Sequence, residues 1–114
     1  MNLRLSNPIA IVLLFALSMV SLLLASEEHA YMALEHAAAA ANSRDSISVA
    51  EHASKALQHT QSAKATAQDP ETLQRLEKSE AKLKSAVQNA NWHNTHSAVD
   101  DAREGKRHLE ETGK

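Results

Sequence analysis

The pattern of apolar and polar positions divides the chain near residue 26. Residues 9–25 form an apolar run interrupted only by Ser18 and Ser21, whereas beyond Glu27 apolar residues recur at helical spacing among charged and amide side chains. The later pattern predicts helices over 27–42, 47–67, 70–90 and 96–111. Ser48-Val49-Ala50-Glu51 and Ser97-Ala98-Val99-Asp100 have the form of capping boxes. Asp69-Pro70-Glu71 supplies an N-cap, a first-turn proline and a first-turn acid. Polar stretches at 42–46 and 89–95 interrupt the helical pattern. In the third helix Leu73, Leu76, Leu83, Val87 and Ala90 fall at heptad a and d positions, with Glu80 as a polar intruder compensated by Lys84 or Lys78. The first two helices rely on alanine, which lets backbones approach but buries little apolar area per residue.

A shift of 49 places superposes Ala41-Asn42 on Ala90-Asn91, Leu34 on Leu83, Ala37 on Ala86, Ala53 on Ala102 and His59 on His108. The economical explanation is a duplicated helical hairpin. Two such hairpins, each burying its stripe against the other, give an all-α fold: an antiparallel four-helix bundle over 27–114. Trp92, between the last two helices, is expected to plug the end of the bundle.

The apolar run has a different purpose. Arg4 precedes it, Glu27 and Glu28 follow it, and no other charge lies before Glu27. Residues 1–26 therefore read as a signal peptide. An uncleaved membrane anchor is the alternative, because Leu23 and Leu24 spoil the small-residue spacing of a cleavage site and about 20 apolar residues span a bilayer. Either outcome places the bundle outside the cytoplasm, with membrane contact only if the segment is kept.

Composition narrows the chemistry. The chain has no cysteine, so disulfides, thiolate metal sites, iron–sulfur clusters and thiol catalysis are excluded. Its 12 basic residues against 14 acidic ones leave no electrostatic footprint for nucleic acid. Seven histidines remain to be explained, and all follow the apolar run.

Four of them repeat a motif. His29-Ala30-Tyr31-Met32-Ala33-Leu34-Glu35-His36 and His52-Ala53-Ser54-Lys55-Ala56-Leu57-Gln58-His59 both read H-A-x-x-A-L-x-H. Histidines seven apart share one helix face about 10 Å apart along the axis. With Ala30, Ala33 and Ala37 as the inner seam, all four occupy g positions at the edge of the core. The pairs His36/His52 and His29/His59 are each centred on Arg44, so an antiparallel hairpin folded there sets each pair at one level. Two two-histidine half-sites result. Imidazole suits Cu(II), Ni(II) and Zn(II), and water, Glu28, Glu35, Glu51 or another chain must complete the coordination. Under the opposing reading, the repeat is only a duplicated helix-forming unit with histidine on its flank.

The second hairpin departs from this pattern. The 49-residue shift replaces His29, His36 and His52 by Lys78, Ser85 and Asp101, leaving His108 with Lys78 as its level partner. His93 and His96 read as solvated turn residues, with an accessory site beside Asp100 as the alternative.

Through its doubled H-A-x-x-A-L-x-H, and especially Glu51-His52-Ala53 and Leu57-Gln58-His59, the chain resembles the bacterial small metal-binding proteins over about 27–111. The resemblance implies a periplasmic, cysteine-free, histidine-rich four-helix bundle that buffers divalent metals, copper above all. It also implies metal-ligand positions at His29, His36, His52, His59 and His108. Members of that family carry more histidines over all four helices, so fewer sites are expected here.

Catalysis is not expected. No H-E-x-x-H occurs, no Glu stands three residues before a histidine as in di-iron bundles, and no glycine-flanked nucleophile turn is present. The alternative to a metal buffer is a periplasmic or membrane-anchored helical interaction protein. A monomer is favoured.

Overall fold

A computed structural model describes residues 8–112, with side chains from Leu24 onward. Four helices follow in order: α1 (Pro8–Ala41), α2 (Ser46–Thr66), α3 (Pro70–Asn91) and α4 (Thr95–Glu111). α1 packs on α2 and α4, and α3 packs on the same two, so the hairpins α1–α2 and α3–α4 close a four-helix bundle.

α1 starts at Pro8 rather than near residue 27 and runs unbroken to Ala41. No helix breaker separates the apolar run from the amphipathic stretch, so backbone hydrogen bonding continues through residue 26. Most of the expected signal or anchor segment lies outside the residues whose side chains are described. Its last residue, Ser26, is buried and donates from Oγ to the Ala63 carbonyl of α2 at 3.1 Å. Bundle packing thus begins no later than Ser26.

The caps of α2 and α4 differ from those the sequence indicates. Asp45, not Ser48, caps α2: its carboxylate accepts from the Ser48 backbone N–H at 2.8 Å. Of the two competing oxygens, the aspartate stands one turn earlier and is charged, which strengthens the bond to the helix N-terminus. Asp69 caps α3 through the Thr72 N–H at 2.9 Å, with Pro70 in the first turn, as the sequence indicates. α4 begins at Thr95 behind Asn94, with no side-chain cap, so the Ser97 box does not form.

The core has two parts. Near the α1–α2 and α3–α4 turns it consists of alanine and valine: Ala40, Ala41, Val49, Ala53, Ala86, Ala90, Ala98 and Ala102. Toward the other end Leu76, Leu83 and Leu109 pack onto Ala33, Ala37, Ala56 and Ala63. The buried seam of α3 is Leu76, Ser79, Leu83, Ala86 and Ala90, so it runs along a different edge from the one read in the sequence. Leu73 and Val87 are only half-buried. Ser79 is the buried polar residue, and its hydroxyl is satisfied by the Gly105 carbonyl at 3.0 Å. That contact needs close approach, since a Cβ on Gly105 would lie 3.0 Å from Leu83 Cγ. Glu80 sits on the flank and accepts from Lys64 of α2 at 3.0 Å, rather than from Lys78 or Lys84.

The duplication is visible in space. Ser46 and Thr95, which are 49 positions apart and begin α2 and α4, hydrogen-bond to each other at 2.5 Å. Trp92 does not plug this end and is 84% exposed. The layer nearest this end is built of alanine and valine instead.

Candidate metal centre

The histidine repeat acts through helix geometry. All four imidazoles project from the α1–α2 seam and are half-buried. The rings of His29 and His59 stack with centroids 5.4 Å apart, and those of His36 and His52 at 5.8 Å. These are the level pairs set by folding about Arg44. The structure adds a third contact that level-matching missed: His36 and His59 lie 5.8 Å apart with ring planes only 3° from parallel. The result is one continuous ladder, His29–His59–His36–His52, rather than two separate half-sites.

Helical side chains lean toward their own N-terminus. On antiparallel helices that tilt moves His36 toward the level of His29, and His59 toward the level of His52. These two rings therefore converge, while His29 and His52 lean outward. The cue lay in the chain directions, which a list of residue spacings does not contain.

Two ring nitrogens meet at one end of the ladder. His29 Nδ1 and His59 Nδ1 are 3.2 Å apart. Two nitrogens bound at about 2.0–2.1 Å to one ion, at angles between right and tetrahedral, are separated by about 2.9–3.3 Å. In that contact an Nδ1–H of one ring donates to the Nδ1 lone pair of the other. At the other end His52 Nδ1 is buried with no hydrogen-bond partner among the described residues. A buried orphan nitrogen is costly, and a ligand that binds it removes that cost. Burial holds the His36 pKa below the ordinary histidine value, helped by its neighbours His52 and His59 and by Lys55. A neutral imidazole is the form that binds metal. Lys55 stands three residues after His52, and its charge adds to the lowering at His36.

No carboxylate joins either pair closely: among the described residues, no group of three His, Asp or Glu side chains is placed to hold one ion. Glu35 acts on His36 only at a distance, and Glu51 is engaged by Lys55 at 3.3 Å.

His108 lies outside the ladder. Burial lowers its pKa, with Arg107 adding to the effect, and its Nδ1 is also buried without a partner. Its surroundings are Lys78, Glu104, Arg107 and Glu111. The counterparts of His36 and His52, Ser85 and Asp101, bond directly at 2.6 Å, and Asn89 donates to the same carboxylate at 2.8 Å. His93 has a φ of 60°, the left-handed position of a Schellman turn. Its N–H bonds to the Ala90 carbonyl, and the Asn94 N–H bonds to that of Asn89. His93 therefore serves to end α3. His96 is 91% exposed and lies 3.5 Å from Asp100.

Fold and ladder together define a cysteine-free four-helix bundle that gathers imidazoles on one hairpin. A family model described as "Small metal-binding protein" matches residues 4–112, and the chain belongs to that family. No curated protein and no solved structure matches it.

Proposed function

We propose that this protein is a periplasmic buffer or scavenger for divalent metal, Cu(II) foremost with Ni(II) and Zn(II) accepted, and that the imidazole ladder of α1 and α2 is the binding site. Family membership supports metal as the ligand and a binding role rather than catalysis. The observation that carries the site assignment is the His29 Nδ1–His59 Nδ1 separation of 3.2 Å, set in a row with His36 and His52. Half-exposed rings with two protein ligands per ion suit open, exchangeable binding, as a buffer needs. His108, the remaining position implied by the family pattern, is proposed as a weak ligand at most, because Lys78 and Arg107 face it. The periplasmic address rests on Arg4 ahead of the apolar run, with residues 1–26 proposed as the signal segment.

Calorimetric titration with each of the three ions tests the reading. His36→Ala with His52→Ala is expected to lower stoichiometry and affinity, and His29→Ala with His59→Ala to lower affinity further. Unchanged binding in both double variants refutes the ladder. Bound metal is also expected to raise Tm by preferential binding to the folded state, a gain that disappears near pH 5 as imidazoles protonate.

A further inference from the structure

The ladder has a symmetry of its own. The H-A-x-x-A-L-x-H motif recurs after 23 residues, carrying His29 onto His52 and His36 onto His59. In space this is a local two-fold axis normal to the α1–α2 face. The two end pairs related by it match: 5.4 Å and 28° for His29/His59 against 5.8 Å and 27° for His52/His36. The central pair, His36/His59, is carried onto itself by the same relation, and its ring planes lie 3° from parallel.

Each end presents two imidazoles, with Nδ1 atoms 3.2 Å apart at His29/His59 and ring centroids 5.8 Å apart at His36/His52, and among the described residues no third His, Asp or Glu stands close enough to join either pair. Zinc commonly takes four ligands and Cu(II) a tetragonal set, so one chain leaves each ion half-coordinated.

Resting on the metal-binding reading above, we propose that metal joins two copies of this chain through their ladders, each ion being held by one imidazole pair from each copy. The local two-fold makes this geometrically permissive. A second copy laid face to face opposes pair to pair whether its helices run parallel or antiparallel to the first. Both ends of the ladder are completed in either setting. The assembly then holds two ions per dimer, one per chain. Replacing two water ligands by two imidazoles at each end, with the ends acting together, gives a bivalent clamp whose strength exceeds that of either ion alone. The partner's chemistry is thus fixed: a second copy, supplying neutral imidazole. Metal in excess opposes the assembly, since each pair can then take its own ion and complete it with water. Dimerisation should therefore rise to one metal per chain and fall beyond it.

Sedimentation velocity of the purified chain during zinc titration, with bound zinc measured on the same samples, provides the test. The expected result is a doubling of mass at one zinc per chain, reversal by chelator, and return toward monomer as zinc exceeds two per chain. His29→Ala with His59→Ala should keep the doubling at about half the zinc per dimer and at higher protein concentration. The variant lacking all four ladder histidines should show no zinc-driven doubling. Zinc bound at full stoichiometry to a chain that remains monomeric throughout overturns this inference and leaves the metal-binding reading intact. No zinc bound at all overturns both. A doubling that persists in the four-histidine variant, with helicity retained by circular dichroism, also overturns it, because contacts other than the ladder then join the copies.

Discussion

The two hairpins share one backbone plan and have divided its tasks. Where α1 and α2 present His36 and His52, α3 and α4 present Ser85 and Asp101, bonded to each other at 2.6 Å and closed off by Asn89. Where the first hairpin has His29 and His59, the second has Lys78 and His108, a cation facing an imidazole. The packing is divided in the opposite sense. The first hairpin contributes mostly small residues, with Ala33, Ala37, Ala53, Ala56 and Ala63 fully buried beside Val49 and Thr60, while the second supplies the buried leucines Leu76, Leu83 and Leu109. Helices with small seam residues approach closely, and that closeness lets four imidazoles on the α1–α2 edge touch. The shared fold thus sets which positions meet at a hairpin edge, while four side chains decide what chemistry is presented there.

The largest effect expected from this comparison is a transplanted site. Ser85→His combined with Asp101→His should restore a level pair in the second hairpin and add binding capacity in calorimetry, most visibly when the ladder histidines have been removed. If no capacity appears although the variant stays helical, the equivalence of the hairpins is only superficial. Next comes the division of packing. Leu83→Ala, at a fully buried site, should cost about 2–5 kcal/mol in chemical denaturation, whereas Leu57→Ala on the half-buried flank of α2 should cost about 1–2 kcal/mol. Equal losses would show that the first hairpin carries as much of the core as the second.

A smaller effect separates structural from ligating histidines. His93 occupies a left-handed turn position that favours glycine, so His93→Gly should raise stability by about 0.5–1 kcal/mol and leave metal binding unchanged. Weakened metal binding would instead favour the accessory site that is the alternative reading of His93. The smallest effect concerns the contact between the hairpins. The hydrogen bond from Lys64 holds the Glu80 carboxyl below its ordinary value of 4.5, so its contribution is full above that pH and is lost as pH falls through the lowered value. Lys64→Met should therefore reduce stability slightly at pH 7 and flatten the acid limb between pH 5 and 3 in thermal melts. A steeper acid limb in the variant would contradict the pairing.

Much of the fold was legible in the residues. Asp69-Pro70 marked the start of α3, the shift of 49 residues revealed the duplication, and the centring of both histidine pairs on Arg44 placed them at common levels. Other features depended on competition between neighbours. Asp45 and Ser48 could each cap α2, and a charged oxygen one turn earlier won. On α3 two seams lay side by side, and the approach of Gly105 drew Ser79 inward while Lys64 drew Glu80 outward. Trp92 looked like core because tryptophan usually is, but the layer nearest that end is built of alanine and valine instead.

The sequence alone determined a helical, cysteine-free bundle and the chemistry available to it, because helical period, turn punctuation and residue inventory are local properties. It also determined that the second hairpin could not copy the first, since the histidines are simply missing there. Only the tertiary structure decided that two half-sites become one ladder. That outcome depends on the lean of His36 and His59 toward each other across antiparallel helices, and on a seam of alanines small enough to bring them within 5.8 Å.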